Sequence, residues 1–340
     1  MLKNRRFWIG LVITLVFLFL FIFEVRDDIG EMGRALGEAN YLFLLPGILI
    51  YYLGIYFRAV RWRFLLKPLG SFSSIRLFPL IVVGMLVNNV LPARLGIVAR
   101  AYILGEKENI SKMAVGGTMV VEQISDGVIL ILFAAIISFF IPLEGLLQQV
   151  IYITSGLFIG ALVLCLVLVF SPRLARAAIN VVLRFLPKRL RERTERWLLL
   201  LIEGLGIMRS PGQLLIVFML AALVWLSEAG LFYMLDFAFD LGLPFYVYLL
   251  AMSVANLAWV LLMTQGGLGP FDFALQQTLI AFGITVGVAS SYTLVLHALI
   301  LMLTIPLGFV FLWMENLSLS KVIGERQKLT KKQGAMEGDL

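Results

Sequence analysis

The chain has 340 residues, of which 61% are hydrophobic and 14% charged, against roughly 25% charged in an ordinary soluble domain. With a mean hydropathy of +0.98, this composition argues against a soluble enzyme, a disordered chain or a nucleic-acid-binding domain. It points to an all-α polytopic membrane protein, in which the net charge of +7 reads as loop charge that sets orientation rather than as affinity for nucleic acid.

Lys3, Arg5 and Arg6 precede an apolar stretch from Phe7 to about Val25. It is longer than a signal-peptide core and lacks a small-x-small cleavage site, so it reads as a retained first span. Apolar runs at about 41–57, 113–141, 151–170, 213–235 and 289–314 bring the count to about six full spans. Gly287 then falls in an outer loop. Two further apolar regions, about 77–105 and 245–283, are interrupted. The first breaks across Asn88-Asn89-Val90-Leu91-Pro92-Ala93-Arg94-Leu95-Gly96, the second across Thr264-Gln265-Gly266-Gly267-Leu268-Gly269-Pro270. Pro lacks a backbone donor and Gly is entropically costly to order, so both stop helices. The pieces on either side are short for full spans, and each region reads as a re-entrant helical hairpin whose broken backbone is covered by protein or water. Cys165 stands alone in an apolar run, with no partner for an intrachain disulfide.

With the N-terminus in the cytoplasm, every Lys and Arg except Arg26, Arg34, Arg94 and Arg100 falls on a predicted inside segment. The expected location is the cell (inner, cytoplasmic) membrane, multi-pass, with both termini cytoplasmic. Each interrupted region must then return to its starting side, the first opening to the cytoplasm and the second to the outside. Units at about 41–141 and 213–314 are thereby related by inversion, the usual pointer to a transporter's binding site. Residues 1–320 form a single transmembrane domain and 321–340 a basic cytoplasmic tail, disordered beyond about Arg326. The connecting segment, about 171–210, holds nine basic residues against Glu192, Glu195 and Glu203. It reads either as a basic amphipathic helix or elbow on the cytoplasmic surface or as a plain positively charged loop.

Ionisable groups at membrane depth cost about 2.5–3.5 kcal/mol each on insertion scales, so they mark function or internal pairing. Arg94 and Arg100 flank the helix start after Gly96. Together with that helix N-terminus they suit a phosphate, unless they pair with Glu122 or Asp126. Glu122 and Asp126, four apart, share one face of an apolar span, where they hold a cationic headgroup, shuttle protons or pin the arginines. Asp272 stands in the first turn after the second break, as a cap or a functional acid. His297, the single histidine, is either a hydrogen-bonded structural group or a proton relay. Glu228 lies in a span beside Trp225, with its role open. Gly266, Gly267 and Gly269 allow positive φ or close backbone approach at the second tip. Enzyme signatures are poor: there is no paired-histidine zinc motif, no nucleophile elbow and no phosphate-binding Walker loop. No cofactor, no metal and no enzymatic activity are expected.

Four motifs in order carry a family resemblance: Arg61-Trp62-x-x-Leu65-Leu66, Asn89-x-x-Pro92-x-Arg94-x-Gly96-x-x-x-Arg100, Glu122-x-x-x-Asp126 and Gly266-Gly267-x-Gly269-x-x-Asp272. Over nearly its whole length the chain resembles the lysylphosphatidylglycerol synthase transmembrane-region family, the flippase part of the multiple peptide resistance factor and its stand-alone relatives. Ile97, Gln123 and His297 stand where the family often has an acid, an Arg and an Arg. The resemblance implies a lipid flippase with two opposed re-entrant hairpins and without the separate domain that makes the aminoacyl lipid. The implied substrate is a phosphate-bearing lipid, phospholipid or polyprenyl type, bound by Asn89, Arg94, Arg100, Glu122, Asp126, Gly266, Gly267, Gly269, Asp272 and His297. Membrane lipids with anionic or zwitterionic headgroups are the expected partners. A homo-oligomer and a separate lipid-synthesising enzyme stay open. An ion-coupled transporter of a small solute shares the architecture, and a membrane-embedded lipid transferase is the third reading.

Overall fold

The computed structural model describes residues 12, 15, 16, 19–21, 23, 25–91, 95–140, 145–184, 188–262 and 264–314. The expected first span at 7–25 and the tail at 321–340 lie wholly or largely outside these residues. Among the described residues the chain is helical, without strands. In order the helices are α1 (Ile29–Glu38), α2 (Leu44–Leu65), α3 (Ser74–Val90), α4 (Gly96–Lys107), α5 (Lys112–Phe140), α6 (Gly145–Phe170), α7 (Pro172–Arg184), α8 (Lys188–Gly204), α9 (Pro211–Phe239), α10 (Phe245–Leu262), α11 (Pro270–Ala281) and α12 (Val286–Met314).

Among the described residues six segments are long and apolar enough to cross a membrane: Tyr41–Leu65, Lys112–Ser138, Ile151–Phe170, Pro211–Phe239, Phe245–Leu262 and Val286–Met314. Five match expected spans. The sixth, α10, belongs to the second interrupted region, whose pieces look short in the sequence. Its 18 residues reach ~27 Å at the helical rise. The helix formed before the second break is thus a full-length one, whereas α3, α4 and α11 are shorter.

The exterior is inside out relative to a soluble protein. On α2, Leu45, Leu49 and Leu53 are 58%, 72% and 48% exposed, while Arg61 is fully buried. Spacing of four puts the three leucines on one stripe facing outward, as a hydrocarbon solvent requires. Inside, α2 packs along α9, α3 along α12, and α5 against α4, α9 and α10. The described parts of the connecting segment are helical: α7 and α8 pack against each other, and α8 lies along α5. Helix α12 begins at Val286, so Gly287 is in its first turn rather than in an outer loop. A Cβ there would come within 2.6 Å of Glu31.

Both interrupted regions are pairs of packed helices, α3 with α4 and α10 with α11. At the first break the Gly96 amide donates to the Asn88 side chain at 2.7 Å, so one strand of the break caps the other. The crossing is so close that a Cβ on Gly96 would sit 2.1 Å from the Gly84 carbonyl oxygen. At the second break Gly266, Gly267 and Gly269 all have positive φ, at 59°, 85° and 92°. Only glycine takes that run without strain. Trp259 donates its indole N–H to the Thr264 carbonyl, tying the turn back to α10. The breaks meet, since Gly266 lies against the Asn89 backbone.

The crossing yields a test. Gly96→Ala forces a methyl into a backbone carbonyl and is expected to cost about 1–3 kcal/mol. Gly160→Ala meets open space within 4 Å and is expected to be neutral or slightly stabilising. Thermal unfolding in detergent compares the two, and equal midpoints would contradict the close crossing.

Candidate functional site

The last two turns of α2 carry Arg58, Arg61 and Trp62 into the interior. Hydropathy alone assigns Arg58 and Arg61 to an inside loop, but both lie within the helix and pair with acids. The orienting charge of that stretch therefore rests on Arg63, Lys67 and Arg76.

Arg61 is fully buried and clamps Asp126 with both terminal nitrogens, at 2.5 and 3.1 Å. It also lies 3.4 Å from Glu122. Arg100, from α4, grips Glu122 in the same two-pronged manner at 3.0 and 2.8 Å. The four-residue spacing of Glu122 and Asp126 thus presents two carboxylates to guanidiniums from two different helices. Arg100 stacks over the Trp62 ring at 4.2 Å, and Trp225 on α9 donates its indole N–H to Asp126 at 2.9 Å. A second unit lies beside the first. Arg58 donates to Glu228 at 2.9 Å and stacks over Trp225 at 4.8 Å, and Asn256 on α10 donates to the other Glu228 oxygen at 3.1 Å. Three guanidiniums and three carboxylates are thereby matched, which such depth demands.

A cavity of about 140 Å³ opens among these groups, at the meeting of the two breaks. Its polar wall holds Arg58, Glu228, Asp126, Asn256 and the two break amides Asn88 and Asn89, and its apolar wall includes Tyr51, Trp225, Trp259, Phe158 and Phe271. His297 and Gly266 close one end. His297 Nδ1 pairs with Asp272, while Nε2 faces the Gly266 carbonyl oxygen at 3.1 Å. The second Asp272 oxygen accepts from the Gly269 amide at 2.9 Å, so this acid is a cap and a histidine partner at once. Asn89 donates to Thr304 on α12 at 2.8 Å.

Of the residues singled out in the sequence, Asn89, Asp126, Gly266 and His297 line the cavity. Arg100 and Glu122 hold each other. Gly267, Gly269 and Asp272 shape the second break behind the wall. Arg94 lies outside the described residues. Sequence reasoning missed Arg58 and Asn256, met Arg61 only within a family motif, and left Glu228 and its neighbour Trp225 without a role. Arg58-x-x-Arg61-Trp62 at the end of an apolar run, facing three acids in later spans, was the available signal. Among the described residues no cluster of His, Cys, Asp or Glu is arranged to hold a metal.

The pairing generates an expected outcome. Arg61→Ala strands Asp126 in the interior and should destabilise the protein by about 3–5 kcal/mol. Asp126→Asn in the same chain should return a large part of that loss. Melting temperatures of the two single variants and the double variant decide it, and additive losses would contradict the pairing.

Comparison with known proteins now bears on this arrangement. The family model described as lysylphosphatidylglycerol synthase TM region matches residues 7–308. A UPF0104 membrane protein of Methanocaldococcus jannaschii is 24% identical over 326 residues, which cover 88% of this chain and 93% of the relative. A UPF0104 membrane protein of Methanothermobacter thermautotrophicus is 23% identical over 283 residues, covering 78% and 83%. With six helices long and apolar enough to cross a membrane among its described residues and a match over most of its length, the chain belongs to the lysylphosphatidylglycerol synthase TM region family.

Proposed function

We propose that the protein is a lipid translocase that carries a phosphate-bearing lipid headgroup through the cavity between the two helix breaks while the acyl chains stay in the bilayer. The observation that carries this reading is the cavity itself: charged and amide groups converge on it inside a bundle whose outer surface is apolar. A lipid needs that combination, a polar shelter for its head and a hydrocarbon surround for its tails. In this reading α3–α4 and α10–α11 are re-entrant hairpins of an inverted repeat, entering from opposite sides, and both termini are cytoplasmic.

The cavity wall offers Arg58 to a phosphate and the acids Glu228 and Asp126 to a cationic head, so a zwitterionic or anionic phospholipid fits its chemistry. A headgroup entering there trades contacts with Arg58 for the Glu228 contact, and Asn256 remains to hold the acid. Arg94, two residues before the start of α4 in the sequence, is the proposed second phosphate contact. No covalent step is assigned to the protein, which is read as a transporter rather than an enzyme.

Leaflet exchange in liposomes tests the reading. The purified protein should accelerate bleaching of an acyl-labelled phospholipid by a membrane-impermeant reductant. Arg94→Lys should slow exchange, and Arg94→Ala should slow it further, by about 1.5–3 kcal/mol in the barrier if the phosphate contact is direct. Arg94→Ala with native thermal stability and unchanged exchange would remove Arg94 from the site. Absence of exchange for every phospholipid offered to the native protein would overturn the translocase reading.

A further inference from the structure

The contacts of His297 are unusual for a buried imidazole. Both ring nitrogens face oxygen: Nδ1 an Asp272 carboxylate oxygen, Nε2 the Gly266 carbonyl. A carbonyl oxygen accepts only, so Nε2 must carry a proton. A neutral ring then turns the Nδ1 lone pair onto an ionised carboxylate, which is repulsive. Both contacts are hydrogen bonds at once when the pair carries one more proton, which this reading places on the ring as an imidazolium beside the carboxylate. In that state His297 ties α12 to the second break at Gly266, the residue that lies against Asn89 of the first break.

A polar seam leads from this pair to one end of the bundle. Asp272 and Gln276 lie four apart on α11, and His297 and Thr293 four apart on α12, so each pair shares a face. Gln276 donates to Ser290 at 2.8 Å across the same α11–α12 contact that joins Asp272 to His297 one turn away. Gln276 and Thr293 are fully buried, yet Gln276 Oε1 and Thr293 Oγ1 have no protein partner. Buried polar atoms of this kind are ordinarily satisfied by water. At the far end the half-buried Glu31 of α1 accepts from the exposed Thr285 at 2.8 Å and lies against Gly287 in the first turn of α12. From Thr285 to His297 the seam follows ~18 Å of helix.

We propose that this seam is a proton path and that the Asp272–His297 pair is the proton-binding site of an ion-coupled transport cycle, latching the two helix breaks together when protonated and releasing them when it is not. The proposal rests on the translocase reading and names its coupling ion. The proton enters at the Glu31 end, passes through water held by Ser290, Gln276 and Thr293, and is taken up by the pair. Its loss into the cavity that His297 lines sets the Nδ1 lone pair against the carboxylate, so the ring leaves either Asp272 or Gly266. Among the described residues, the charged groups that bear on the pair are few. Helix α9 brings Glu228, α2 Arg58 and α5 Asp126 to the shared cavity. Helix α3 brings the uncharged Asn88 and Asn89 there, and α1 brings Glu31 only at the distant end.

Because the chain has one histidine, its ring can be observed without interference. In the full chain labelled with ¹⁵N-histidine in lipid nanodiscs, the ring nitrogens should pass from a doubly to a singly protonated pattern as pH rises. Asp272→Asn should displace that transition, since it removes the carboxylate that faces Nδ1. A ring that stays in one protonation state between about pH 5 and 8, or a transition unmoved by Asp272→Asn, overturns the proposal whatever the protein transports. In liposomes, a pH gradient should change the net direction of labelled-phospholipid movement by several-fold. His297→Gln should abolish that dependence, and the near-isosteric Thr293→Val should slow gradient-driven movement several-fold at native thermal stability. Exchange that proceeds in the native protein with no response to the gradient overturns proton coupling and leaves the translocase reading standing. Absence of any exchange, with the histidine transition intact, rejects both the lipid substrate and the coupled cycle while retaining only a proton-binding pair.

Discussion

The clamp of Arg61 on Asp126 is the contact on which the interior depends. Both groups are buried at membrane depth, where an unpaired charge is intolerable and a matched pair is stable only with good geometry. Asp126 is satisfied by two guanidinium nitrogens and the Trp225 indole at once. That single carboxylate therefore fixes the rotation of α2, α5 and α9 about their axes. Glu122, one turn away, adds α4 through Arg100, and Glu228 adds α10 through Asn256. Lipid supplies little hydrophobic force between helices, so these polar contacts set which faces turn inward, and the leucine stripe of α2 is left outward as a consequence.

The same economy governs the breaks. A helix interrupted inside a membrane frees backbone groups that water cannot reach. Asn88 takes the Gly96 amide, Asp272 takes the Gly269 amide, and Trp259 takes up the Thr264 carbonyl. Each break is thus closed by side chains from its own hairpin. The contact between Gly266 and Asn89 then joins one hairpin to the other beside the cavity, so a change at either break is felt at its wall. His297 bridges α12 to this contact, which places one titratable group where the two halves of the molecule meet.

Much of this was legible in the sequence, for reasons specific to its residues. Asn88–Gly96 and Thr264–Pro270 announce themselves because Pro and clustered Gly are incompatible with continuous helix. Glu122 and Asp126 stand out because acids in an apolar span must face inward. Arg58 does not, and Arg61 enters only through a family motif, since they end an apolar run and precede a polar stretch, where a hydropathy reading merges them with the loop. Their partners lie 170 and 65 residues away, and no local pattern reports contacts of that range. The full length of α10 was masked by the break that follows it, and the start of α12 by Gly287, which is in helix because it must lie close to Glu31. The helical character of 172–184 and 188–204 is one of the two readings that its alternating apolar and basic residues allow.

Native mass spectrometry of the purified protein tests the central claim most directly, because it asks whether a lipid head occupies the cavity. The account predicts that the native protein retains a phosphate-bearing lipid of defined headgroup. It also predicts that Asn256→Trp, which places a large ring in the cavity wall, retains markedly less of it while remaining folded. Equal retention of the same lipids by both proteins, in proportion to their abundance in the membrane, would contradict a headgroup site between the helix breaks.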